Sequence, residues 1–248
     1  MPRRQAQPQR GAVLGDTRDA TEALEARGEL SSLRMAVPMD KRASDGPADA
    51  LVTIVAALDP GAAFGLAYLD RLAELRQRYG DEVRIVWHHL LSRPGHHQVG
   101  ALALCAARAQ GKLEPLLRLA LSYNFDLDED GLAAPLRPPG AQRLDQLREL
   151  AAETGLDVVK WERALRGKAC KDEVKRDAQA LVALGAIDTP YTWINGRPLR
   201  GARPIEAFVA IVDEELAQAR AAVGDSKPAV AATATQVLRG ARKTLPTP

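Results

Sequence analysis

The side chains of this 248-residue chain best suited to redox, nucleophilic or metal chemistry are two cysteines and four histidines. A cysteine acts as its thiolate, so its reactivity depends on exposure and on nearby positive charge. Cys105 and Cys170 are too few and too separated for a disulfide framework or a cysteine zinc site. Cys105 lies in Leu102-Ala103-Leu104-Cys105-Ala106-Ala107, an alanine-rich stretch where cysteine serves as a small apolar residue. Cys170, between Lys168 and Lys171, has the more activating setting. The expectation is a core or incidental role for both. A structural disulfide and a role as redox groups are the lesser readings.

The histidines fall as His88-His89 and His96-His97. Imidazole is a good zinc or nickel ligand, but adjacent side chains at the end of a strand point to opposite faces. No metal site is assigned and no cofactor is expected. Asp59, in Asp59-Pro60-Gly61, reads as a solvated loop residue.

These residues need elements to position them. Leu33 to Pro38 reads as an edge strand stopped by proline. The β-branched run Leu51 to Ala57 reads as a buried central strand, broken at Asp59-Pro60-Gly61. Phe64, Tyr68, Leu72, Leu75 and Tyr79 then recur at helical spacing, Gly80 ends that helix, and Val83 to Trp87 forms the next strand. Strand, helix, strand specifies a parallel right-handed crossover. Apolar stripes at helical spacing continue from His97 to Leu184, with a proline-rich loop over Asp126 to Gln142. Tyr191 to Ile194 returns to strand character, Asn195-Gly196 signals a hairpin, and a last helix begins near Pro204. This order is a thioredoxin fold, of class α/β, with a helical domain inserted at about 97–184. Residues 1–32 read as a mobile arm with a short helical stretch near Asp19 to Ala26, and 223–248 as a disordered tail.

Composition sets the outer bounds. Hydrophobic residues make up 46% and charged residues 27%, as in a globular protein, and the 4% aromatic share favours alanine- and leucine-rich helices over a sandwich of sheets. The net charge of +2 is carried by residues 224–248, which hold +3. The body therefore lacks the basic balance of a nucleic-acid binder. No stretch approaches the length of a membrane helix. Arg3, Arg4 and Arg10 are followed by no apolar run of seven or more before Asp16, so the chain as written is expected to stay in the cytoplasm.

Over about residues 33–222 the sequence resembles the DsbA-like branch of the thioredoxin superfamily. The resemblance rests on collinear pieces: Gly46-Pro47-Ala48-Asp49-Ala50 leading into Val52-Thr53-Ile54-Val55, then Ala106 to Lys112, Gly155-Leu156-Asp157, and Asp188 to Gly201. It implies a Cys-x-x-Cys motif at the start of the first helix, after an acidic residue. Asp59 holds the acidic place, but the motif positions read Ala62, Ala63, Phe64 and Gly65. Thiol exchange needs a thiolate stabilised at the helix N-terminus and a second cysteine to resolve the mixed disulfide. Ala62 and Gly65 supply neither sulfur.

The resemblance also implies a cis-proline at Pro190, with Thr189 before it exposing backbone to an extended peptide. The alternative is that Pro190 only keeps the turn. It makes His89 and His97 inherited structural features, and family relatives are typically periplasmic or exported. The expected function is a redox-inactive thioredoxin-fold module binding an extended peptide or partner protein through Thr189 and Pro190. The alternative is an oxidoreductase using Cys105 and Cys170, or acting beside a second, active domain.

Overall fold

The computed structural model describes residues 10–39, 44–90, 98–127, 133–136, 143–223 and 241–246. In chain order the helices are α1 (Arg10–Ala26), α2 (Gly65–Tyr79), α3 (Gln98–Arg108), α4 (Leu113–Asn124), α5 (Leu144–Glu153), α6 (Val158–Arg166), α7 (Lys168–Ala183) and α8 (Ile205–Val223). The strands are β1 (Ser44–Asp45), β2 (Val52–Leu58), β3 (Val83–His89), β4 (Phe125–Leu127), β5 (Ala133–Pro135), β6 (Tyr191–Ile194) and β7 (Arg197–Arg200). The main sheet runs β1-β3-β2-β6-β7, with β2 parallel to β3 and antiparallel to β6. This is the mixed sheet of a thioredoxin fold, and α3 to α7 are the helical part inserted between β3 and β6.

Burial follows from the pleat. All seven residues of β2 are buried, because both faces of the sheet are covered. Val52, Ile54, Ala56 and Leu58 join α2, α8 and the inserted helices in one core. Val55 and Ala57 face the other way, onto Met35, Val86, Leu90, Leu181, Leu184, Tyr191 and Trp193. The Asn195-Gly196 turn has positive φ at both residues (46° and 84°), as a two-residue hairpin requires. Asn195 also ties the hairpin to β2: its Oδ1 accepts from the Thr53 N–H and its own N–H donates to the Thr53 carbonyl, both at 2.9 Å.

Four expectations are corrected. Residues 17–26 are not a mobile arm, since Ala20, Thr21 and Leu24 are buried and Thr21 Oγ1 donates to the Gly185 carbonyl at 3.3 Å. Small residues and a single leucine make that stripe faint in sequence. Leu33 to Pro38 is not a strand: Met35 forms an isolated bridge with Arg242, the Ala36 N–H donating to the Arg242 carbonyl at 2.8 Å. The disordered tail likewise fails at 241–246, where Leu245 packs on the second core and its N–H donates to the Ala183 carbonyl at 3.1 Å. Residues 224–240 lie outside the described residues. Within the expected loop over Asp126 to Gln142, β4 and β5 pair antiparallel.

The cysteines are the fifth correction and the largest. Cys105 on α3 and Cys170 on α7 form a disulfide, with Cα atoms 5.7 Å apart across 65 residues of sequence. Sequence distance had argued against pairing, but α3 packs against both α6 and α7 and brings the two together. Trp161 completes this packing by donating its Nε1–H to the Ala103 carbonyl at 2.9 Å, fastening α6 onto α3. Both sulfur-bearing residues are buried. Closing a loop of 65 residues restricts the unfolded chain by about 4 kcal/mol in the chain-entropy model. Replacing both cysteines by alanine should therefore lower the unfolding free energy by about 2–4 kcal/mol in urea titration. A loss below about 0.5 kcal/mol would count against the bridge.

Candidate functional site

The segment after β2 holds Ala62 to Gly65, where the resemblance puts the motif. Asp59 is fully buried, not solvated as expected. Its Oδ1 accepts from the Gly61 N–H at 2.8 Å and its carbonyl from the Ala62 N–H at 2.9 Å, so it builds the turn that aims the chain into α2. Asn124 Nδ2 donates to the Pro60 carbonyl at 3.1 Å and holds the turn from the α4 side. A second tight turn follows, with the Gly65 N–H on the Ala62 carbonyl at 2.9 Å. Ala62 is buried at 4% exposure, Ala63 is half-buried and Phe64 is 46% exposed. No side chain caps the start of α2.

Gly65 has a packing reason to be glycine. A Cβ built there would stand 2.6 Å from Leu121 Cδ2 and 2.7 Å from Leu121 Cδ1. Leu121 is itself fully buried, so it cannot swing out to solvent. The space a side chain would need at the second motif position is filled.

Across the sheet, the last paired residues are Ala57 of β2 and Tyr191 of β6. The turn that begins at Asp59 and the Thr189-Pro190 step therefore leave the sheet at the same end. The Thr189–Pro190 bond is cis, Pro190 is buried and Thr189 half-buried. The Pro190 carbonyl accepts from the Gly201 N–H at 3.0 Å. Beside it, Arg200 binds Asp188 through Nε (3.1 and 3.0 Å) and Nη2 (2.6 Å), and Glu25 of α1 through Nη1 (2.9 Å). Hydrogen bonding to Asp188 first, and to Glu25, holds this guanidinium above its ordinary pKa. From α2, the Tyr68 hydroxyl meets Thr192 Oγ1 at 2.7 Å in the core. Burial pushes the Tyr68 phenol well above its ordinary range, against the opposing hydrogen bond from Thr192. These contacts set a rigid frame around a site whose motif side chains are alanine, phenylalanine and glycine.

The side chains of His88 and His89 both reach acidic residues of α7. His88 Nδ1 lies 3.5 Å from Asp177 Oδ1, and His89 Nε2 lies 3.5 Å from Glu173 Oε1. His96 and His97 lie outside the described residues. Glu173 and Asp177 were missed in sequence, yet a signal existed. They fall on the buried stripe Cys170, Val174 and Leu181 of α7, where acidic residues without partners would be costly. Asp177 is fully buried, and its Oδ2 accepts from the His89 backbone N–H at 3.1 Å. Cys105 and Cys170 join α3 to α7, on elements other than α2 and the Pro190 loop.

With this geometry in hand, the chain can be set beside known proteins. No family model matches it. It is 18% identical, with a TM-score of 0.59, to a thioredoxin-like oxidoreductase from Silicibacter pomeroyi, over 72% of this chain and 94% of that one. The thiol-disulfide exchange protein alpha-DsbA2 from Wolbachia pipientis is 13% identical with a TM-score of 0.59, over 81% and 97%. Oxidised BdbD from Bacillus subtilis is 14% identical with a TM-score of 0.59, over 75% and 98%. The fold is thus the DsbA-like thioredoxin fold, an architecture shared with thiol-disulfide oxidoreductases.

Curated relatives are of another kind. A Na(+)/H(+) antiporter NhaA from Herminiimonas arsenicoxydans is 31% identical over 168 residues, which are 68% of this chain and 24% of that protein. NhaA 3 of Salinispora tropica is 29% identical over 211 residues, 84% of this chain and 30% of that protein. The chain spans less than a third of the curated relatives it matches. Among the described residues no helix is long and apolar enough to cross a membrane.

Filling of the second motif position is open to a direct check. Gly65→Cys should destabilise the chain by about 1–3 kcal/mol through overpacking against Leu121. In a Leu121→Ala background the same substitution should cost at least about 1 kcal/mol less, a coupling read by urea unfolding of the four chains in a double-mutant cycle. Additive effects would show that Leu121 is not what fills the position.

Proposed function

We propose that the chain is a redox-inactive module of DsbA-like fold that docks an extended peptide, or an extended segment of a partner protein, along Thr189 and Pro190 beside Phe64. The observation that carries this reading is the pairing of a kept frame with a lost reactive pair. Ala62 and Gly65 hold the motif positions, and Leu121 fills the space next to Gly65. The cis Thr189–Pro190 step and the Arg200–Asp188 brace remain. An extended segment gains affinity by pairing main chain with exposed backbone, and specificity from a neighbouring apolar side chain. Phe64, exposed at the same end of the sheet, supplies that side chain.

A second reading keeps redox chemistry, and one observation favours it: Cys105 and Cys170 are bonded, so the chain does hold a two-electron couple. Its burial argues for a structural bond, since exchange needs an attacking thiolate to reach a sulfur. Insulin reduction and the oxidative refolding of a reduced substrate separate the readings. The module reading expects both to match the uncatalysed background, before and after replacement of Cys105 and Cys170 by alanine. Turnover that disappears with either cysteine establishes the second reading instead. Binding has its own check, using an unstructured, carboxymethylated protein as the probe. Phe64→Asp should weaken its capture about tenfold, the value of half a phenylalanine ring's burial. Unchanged capture would remove Phe64 from the docking edge.

A further inference from the structure

Ligand atoms of three kinds converge where β3, α3 and α7 meet, within the core. His89, Cys105 and Glu173 each offer one, and these atoms all lie within 4.8 Å of one another. All three residues are buried, at 3%, 2% and 8% exposure. Cys170 sets a second sulfur directly beside that of Cys105, through their bond. Glu173 follows Cys170 by three positions on α7, so the two share a face. The carboxylate is already oriented: Arg108 Nη2 holds Oε2 at 2.8 Å, while Oε1 faces His89 Nε2 at 3.5 Å. His89 is anchored in turn through its backbone N–H on Asp177 Oδ2.

The bridge decides what this cluster can bind. Disulfide sulfurs carry no charge, whereas a metal takes the thiolate. We propose that reduction of the Cys105–Cys170 bridge converts the cluster into a zinc site, its ligands being the two thiolates, His89 Nε2 and one oxygen of Glu173. The steps balance with a dithiol as reductant. Its two thiols give two electrons and two protons to the Cys105–Cys170 bond, leaving two cysteine thiols and one new disulfide in the reductant. Zn²⁺ then displaces both thiol protons and forms two Zn–S bonds.

Four donors of sulfur, nitrogen and oxygen suit tetrahedral zinc, and the soft thiolates disfavour magnesium and calcium. Arg108, on the second carboxylate oxygen, orients Glu173 as an outer-shell group would. The zinc would take over the task of the bridge, holding α3 to α7 and adding β3 to the link.

The test uses the full chain, reduced under anaerobic conditions, freed of reductant and titrated with Zn²⁺ against a chromophoric chelator. Co²⁺ serves as the spectroscopic probe and circular dichroism follows the helices. The reduced, helical chain should take up a single equivalent of zinc and the oxidised chain none. Co²⁺ should show thiolate charge-transfer bands with the intense visible absorption of a tetrahedral site. His89→Gln and Glu173→Gln should each weaken zinc by more than about tenfold. Zinc should also raise the melting temperature of the reduced chain and leave that of the oxidised chain unchanged. Any of four results overturns the proposal: no uptake by the reduced helical chain, equal uptake by the oxidised chain, affinity unaltered in both variants, or uptake only after the helices are lost.

Discussion

Burial of β2 on both faces is the constraint from which the rest of the structure follows. A strand enclosed on both sides must pair its backbone with neighbours and present only apolar or small side chains. Val52 to Leu58 meet both demands, through β3 on one edge and β6 on the other. Two cores are needed to cover the two faces, and the inserted helices, α2 and α8 supply one of them. The other draws on segments far apart in sequence, including Met35, Leu181, Trp193 and Leu245. Only their common need to cover Val55 and Ala57 brings these segments together.

The same constraint places the candidate site. With Ala57 opposite Tyr191, the chain leaving β2 and the chain entering β6 emerge side by side. Asp59 and Pro190 turn them, one into α2 and the other out of the inserted region. That geometry places a helix N-terminus at the same end of the sheet as the cis Thr189–Pro190 step, and it does not depend on which residues occupy the helix start. Here those residues are Ala62 and Gly65, and Leu121 from α4 fills the space against Gly65. Frame and chemistry are therefore separable. Core packing maintains the frame, while the chemistry rests on side chains that packing does not require.

How much of this could be read in advance depended on the range of the interaction involved. The β2–α2–β3 crossover, the Asn195-Gly196 hairpin and α8 were legible because each announces itself through local periodicity or turn chemistry. Pairings between distant segments were not. The Met35–Arg242 bridge joins residues with no shared pattern, and α1 docks through Ala20, Thr21 and Leu24, too small a stripe to stand out. Cys105 and Cys170 belong to the same class. Their separation of 65 residues is an obstacle only if the intervening helices fail to double back.

Those helices do double back, and α7 shows what that achieves. Its buried stripe carries Cys170, Glu173, Val174, Asp177 and Leu181. A purely structural helix in this position would fill all of these places with aliphatic residues, because burying a carboxylate costs several kcal/mol unless it is paired. Here the acidic residues meet groups on two other elements, Glu173 the Arg108 guanidinium of α3 and His89 of β3, Asp177 the His89 backbone N–H, with His88 Nδ1 3.5 Å from its other oxygen. Each partner lies on an element that α7 would have to pack against anyway. The polar cluster therefore fixes the register of α7 against α3 and the end of β3 more narrowly than apolar packing could, since a slide of one turn would take two buried carboxyl groups away from these contacts. The disulfide locks the same register by a covalent bond, through a residue one turn from Glu173. Two devices of different chemistry thus hold one interface, and only one of them is open to reduction.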